Sequence, residues 1–115
     1  MPKVYLLQEP TSEKDLSSAA KYGAIFPIID SKEKVAMNIE SVFNLIYDAL
    51  ENYDPDADFI CFAGGDPLLE FMAGIIISRL GFTEVTHLVW NRERNGGGYH
   101  SGQGYYMPKT IKLGD

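Results

Sequence analysis

The chain has 115 residues, 45% of them hydrophobic and 23% charged, a composition that suits one globular domain able to bury a core. Sixteen acidic against ten basic residues leave a formal charge of -6, which argues against a nucleic-acid-backbone binder, because neutralising phosphates depends on lysine and arginine. The single cysteine, Cys61, excludes an internal disulfide framework and a cysteine-based zinc site.

Lys3 to Gln8 reads as a strand whose apolar run lacks alternation, the pattern of burial on both faces. Met1-Pro2-Lys3 leads straight into it, so no signal pattern is visible and a reducing cytoplasm is expected. Asp15 to Tyr22 is a short helix with Gly23 beyond its end. Ala24 to Ile29 is a second strand, and Pro27 within it points to a sheet edge or a bend. Ser31 to Ala36 is a charged loop. Asn38 then caps an amphipathic helix carrying Ile39, Val42, Phe43, Ile46, Ala49, Leu50 and Tyr53 at helical spacing.

Residues 58 to 81 form the spine. Phe59 to Ala63 is a buried strand, Gly64-Gly65 a tight turn, and Asp66-Pro67 an N-cap followed by proline at the first helical position. Gly81 closes that helix. Cys61, inside the strand, is expected to be a buried structural thiol. The helix is apolar on nearly every side, through Leu68, Leu69, Phe71, Met72, Ile75, Ile76 and Ile77. That exceeds what one face against a sheet requires, so either a neighbouring helix covers the excess or a patch marks a homodimer or partner interface. The tract is well short of a membrane span.

Glu84 to Arg92 is a fourth strand, Asn95 to Gly104 a glycine-rich loop, and Tyr105 to Leu113 a last strand. Alternating strands and helices imply parallel crossovers, and the closing pair implies an antiparallel hairpin. The expected fold is therefore a small three-layer α/β domain over residues 1–115. It has a mostly parallel, Rossmann-like or flavodoxin-like sheet of about five strands. Val4, Tyr5, Leu7, Ile29, Ile60, Phe62, Leu88 and Ile111 are the strand residues expected in the core.

In such a sheet ligands bind beyond the carboxyl ends of the strands. Gln8, Glu9, Asp30, Gly64, Gly65, Asp66, Asn91, Arg92 and Arg94 fall there. Glu9, Asp30 and Asp66 are the carboxylates that a magnesium ion would use, with Arg92 against a phosphate, in a nucleotide-binding or phosphoester-processing enzyme. Against this, Asp66 already serves as a cap, and neither G-x-x-x-x-G-K-[ST] nor G-x-G-x-x-G precedes the helix. His87 reads as a packed strand residue, and no histidine pair has metal-ligand spacing. No cofactor or metal is expected. Arg92, Arg94, Tyr99, His100, Tyr105 and Tyr106 surround the glycine loop, a tyrosine and arginine mixture enriched at protein-binding hot spots and less well matched to single-stranded nucleic acid.

Val4-Tyr5-Leu6-Leu7-Gln8-Glu9-Pro10, the Lys14-Asp15-Leu16 stretch ending in Tyr22-Gly23, and Phe62-Ala63-Gly64-Gly65-Asp66-Pro67 resemble small accessory proteins of tailed bacteriophages. The resemblance implies expression in the cytoplasm of an infected bacterium and carries no catalytic residues. The expected function is non-enzymatic binding and modulation of a bacterial or phage protein machine, through the acidic surface or the glycine–tyrosine loop. The magnesium-dependent enzyme is the alternative.

Overall fold

The computed structural model describes residues 1–11, 14–95 and 98–114; the side chains of residues 92–103 lie outside that description. In chain order the elements are β1 (Lys3–Gln8), α1 (Ser17–Ala20), β2 (Ala24–Ile29), a 3₁₀ turn (Val35–Met37) and α2 (Ile39–Leu50). β3 (Phe59–Cys61), α3 (Leu68–Arg79), β4 (Glu84–Asn95) and β5 (Gly98–Lys112) complete the chain. One five-stranded sheet runs β2-β1-β3-β4-β5. β1 is parallel to β2 and β3, β3 is parallel to β4, and β4–β5 is an antiparallel hairpin. The α/β class, the mostly parallel sheet and the closing hairpin are as expected.

β1 lies second in the sheet and is buried on both faces. Tyr5 and Leu7 join one core cluster with Ile46, Leu50, Ile60, Leu69 and Ile76, which lies under α2 and α3. Val4 and Leu6 join the opposite cluster with Ala19 of α1, Cys61, Leu88 and Tyr106. That two-sided burial explains the unbroken apolar run of β1. β2, the strand with Pro27, is an outer strand, the position where a missing backbone donor is tolerated.

The cap of α3 follows the sequence closely. The Leu68 amide donates to Asp66 Oδ1 at 3.0 Å and the Leu69 amide to the Asp66 carbonyl at 3.0 Å. Pro67 between them has helical angles, φ -61° and ψ -18°. At the other end Gly81 adopts φ +84°, its amide donates to Ser78 O, and the Phe82 amide reaches Ile77 O. This paired arrangement satisfies two carbonyls that the last turn would otherwise leave open.

Several expectations are corrected. Asn38 does not cap α2 with its side chain: its amide group donates to Glu33 Oε2 and Lys34 O, and only its backbone carbonyl accepts from Val42. α1 is shorter than Asp15 to Tyr22, because Asp15 Oδ1 binds the Ser17 amide at its start and the Tyr22 ring turns to pack on Phe59 at 5.3 Å. β3 ends at Cys61, and the Ala63 carbonyl accepts from the Lys14 ammonium instead of a strand neighbour. Phe62 is only half-buried, and Ile111 is 52% exposed because β5 is an outer strand reaching past the helices. Finally, of the residues expected to form a long loop, Asn95 and Gly98 to Gly104 continue the hairpin, with Arg94 opposite Tyr99 and Asn95 opposite Gly98 after a register shift between Arg92 and Arg94, while residues 96 and 97 lie outside the described residues.

Candidate functional site

The strand order reverses at β1, which connects to β2 on one side of the sheet while β3 and β4 lie on the other. At that point Gln8, the last residue of β1, is buried and ties the rim together. Its Nε2 donates to Asp30 O at 3.0 Å, and its Oε1 accepts from the Asp66 amide at 3.2 Å. Sequence reasoning placed Gln8 on the rim without recognising that it joins β1, the end of β2 and the start of α3. An uncharged polar residue closing a buried strand is the signal that pointed there.

The rim carboxylates are engaged locally. Asp30 Oδ1 accepts from the Lys32 amide at 2.9 Å, a turn-forming contact, and Asp66 Oδ1 caps α3. Glu9 is exposed, with its backbone amide donating to Ile29 O. Among the described residues no three His, Cys, Asp or Glu side chains gather where they would hold a metal ion.

At the hairpin, the side chains of Arg92, Arg94, Tyr99 and His100 lie outside the described residues. Their backbone register places Arg92 opposite Gly104 and Arg94 opposite Tyr99. Tyr105 is half-buried opposite Asn91. Tyr106, expected to face a partner, faces inward instead: it is buried, stacks edge-on against Trp90 at 5.0 Å, and its amide donates a hydrogen bond to Ser18 Oγ of α1. Gly104 is required by close approach, since a Cβ there would press into the Trp90 indole.

Burial pushes the Cys61 thiol up to about 11 and, with the adjacent Cys61, the Tyr106 hydroxyl up to about 12. The native state therefore holds both protons beyond the pH at which the unfolded chain releases them. Stability from this pair is complete below about pH 9, where the unfolded thiol begins to titrate, and declines as pH rises to about 12. Urea unfolding across pH 8–12 should show that decline, and Cys61→Ala should remove its earliest part. A thiol so protected should also react with an aromatic disulfide reagent only on unfolding.

The surface that lacks a structural explanation is the outward side of α3. Leu69, Met72, Ala73, Ile76 and Ile77 fill the core, yet the opposite side is partly apolar too. Phe71 is 72% exposed and Ile75 49%, and together with Glu70, Gly74, Ser78 and Arg79 they line a shallow depression. A Cβ at Gly74 would meet nothing within 4 Å, so the helix backbone itself is approachable there. Glu70 is oriented by His87, whose Nε2 lies 3.1 Å from Glu70 Oε1.

A family model described as Phage Pam3 gp32-like protein matches residues 2–101, from the start of the chain to the first residues of β5. The chain belongs to that phage protein family. Membership agrees with the resemblance drawn from Val4 to Pro10, the Lys14-Asp15-Leu16 stretch ending in Tyr22-Gly23, and Phe62 to Pro67, all of which lie within the matched residues. Neither a curated protein nor a solved structure matches the chain. No helix among the described residues is long and apolar enough to cross a membrane.

Proposed function

We propose that this phage-family protein acts without catalysis, by binding a bacterial or phage protein through the outward face of α3. The carrying observation is Phe71, a phenyl ring 72% exposed on the most apolar helix of the chain. Ile75 lies one turn further on and is also exposed, and adjacent exposed apolar side chains, unlike a single one, point to an interaction surface.

The sheet edges are poor alternatives. β2 carries Pro27, and β5 carries Pro108 beside Lys109, with Lys112 at its end, devices that discourage an added strand. Charge points to the partner's character. The face itself carries Glu70 and Arg79, within a chain of net charge -6. A second copy would bring the same net negative charge towards the interface. A different protein presenting an apolar pocket rimmed by lysine or arginine complements the face better. On this reading Arg92, Arg94, Tyr99, His100 and Tyr105 of the hairpin supply a second contact region.

Affinity capture from a bacterial lysate, with bound proteins quantified for wild type and Phe71→Asp, tests the proposal. The expected result is a basic protein retained by wild type, released by salt, and depleted roughly tenfold or more by the substitution, as for an interface hot spot. Equal melting curves for the two proteins show that the loss is not unfolding. Alanine at Glu9, Asp30 and Asp66 together should leave capture intact. A capture profile unchanged by Phe71→Asp, or no protein retained by wild type, overturns the reading.

A further inference from the structure

A second concave site lies where the strand order reverses, between the loops that follow β1 and β3, with a volume of about 230 Å³. That is below the range of about 300–1,000 Å³ that holds drug-sized ligands, so the site suits a small metabolite and not a nucleotide. Gly64 and Gly65 have no side chains, so the wall they form is peptide backbone. Neither of their amides has an acceptor among the described residues, whereas the next amide, that of Asp66, donates to Gln8 Oε1.

Lys14 carries the argument. Its ammonium is held at the cavity wall by donating to the Ala63 carbonyl, and a Cβ on Gly64 would lie 3.5 Å from its nitrogen. An ammonium has three donors, so two are left over. Among the described residues lining the cavity Lys14 is the only cation and Glu9 the only anion. The two do not pair with each other. Glu70–His87 is the one ion pair among the described residues, which puts the Lys14 and Glu9 charges more than 4.0 Å apart. Opposite charges that share a small cavity without meeting are complementary to a ligand that carries both. A phosphate dianion is the poorer match, because Glu9 opposes the one cation and Asp66 adds a carboxylate beside the glycine wall.

We infer that this cavity binds a small free α-amino acid as its zwitterion. The ligand carboxylate would accept from the Lys14 ammonium and from the Gly64 and Gly65 amides, and the ligand ammonium would donate to Glu9. This site is separate from the α3 face, and neither reading depends on the other.

L-Alanine is the probe, with propionate as the same skeleton lacking the ammonium and ethylamine as the skeleton lacking the carboxylate. Amide chemical shifts followed during titration should move for L-alanine at Gln8, Lys14, Gly64 and Gly65. Propionate and ethylamine should each bind about tenfold more weakly, the effect of one lost charge-assisted contact. Lys14 and Glu9 are both exposed, so substitutions there leave the core untouched and melting curves should match wild type. Lys14→Met should weaken L-alanine and propionate about tenfold and leave ethylamine unchanged. Glu9→Gln should weaken L-alanine and ethylamine and leave propionate unchanged. Wild type binding propionate as tightly as L-alanine, a variant that weakens all three ligands alike, or no shifts at these residues with millimolar L-alanine would overturn the inference.

Discussion

Ile76→Ala should lower the free energy of unfolding by about 2–5 kcal/mol, whereas Phe71→Ala on the same helix should change it by less than about 0.5 kcal/mol. Both remove a large apolar side chain from α3, and helix propensity favours alanine in each case. Environment makes the difference. Ile76 is fully buried in the cluster with Tyr5, Leu7, Ile60 and Leu69, so its loss leaves a cavity in a close-packed layer. Phe71 leaves only solvent behind. Since domains of this size are stable by about 5–15 kcal/mol, the first variant forfeits a large share of the total. Urea denaturation of both variants measures the contrast directly. A comparable loss at Phe71 would mean that its ring is part of the core, and the proposed contact surface would go with it.

Gly65→Ala should be the most damaging change at the rim. Its φ of +117° is one that only glycine adopts readily, and a Cβ there would land on the Gln8 side-chain carbonyl. The backbone strain costs about 1–3 kcal/mol. Displacing Gln8 adds the loss of its hydrogen bonds to Asp30 and Asp66, about 0.5–1.5 kcal/mol each. Gly64→Ala carries similar strain at φ +124°, but its nearest neighbour is the end of the flexible Lys14 side chain at 3.5 Å, so it should cost less. The two sources at Gly65 can be separated by repeating the substitution in a Gln8→Ala background. If the clash with Gln8 matters, the cost falls there; strictly additive costs would leave backbone strain as the whole effect.

What was legible in the residues, and what was not, divides along the range of the interactions involved. Asp66-Pro67 and Gly81 announced the ends of α3, because a cap is decided within one helical turn. Pro27 announced an outer strand, because a residue without an N–H is tolerated where no further neighbour needs one. Asn38 misled, since Glu33 and Lys34 compete for its side chain through a 3₁₀ turn that no periodicity signals. The glycines after Arg94 read as a loop because glycine is poor in isolated strands. At Gly98, Gly102 and Gly104 the long β4–β5 pairing overrides that local preference.

The amino-acid sequence alone determined the order of strands and helices, the class of fold and the phage resemblance, because hydrophobic period, capping and short motifs are written in neighbouring residues. Only the tertiary structure decided which apolar side chains stay wet. α3 carries apolar residues on nearly every side, and Phe71 is as apolar as Ile76 although it shares its side with Glu70, Ser78 and Arg79. The distinction arises because the sheet and α2 cover one side of that helix and nothing in the described chain covers the other. The same holds for Tyr106, turned inward by its register opposite Trp90, and for Lys14, whose ammonium reaches the Ala63 carbonyl because β1 and β3 pair. Burial is a property of pairs of elements far apart in the chain, so the candidate contact face and the cavity at the end of β1 came into view only once those elements were placed together.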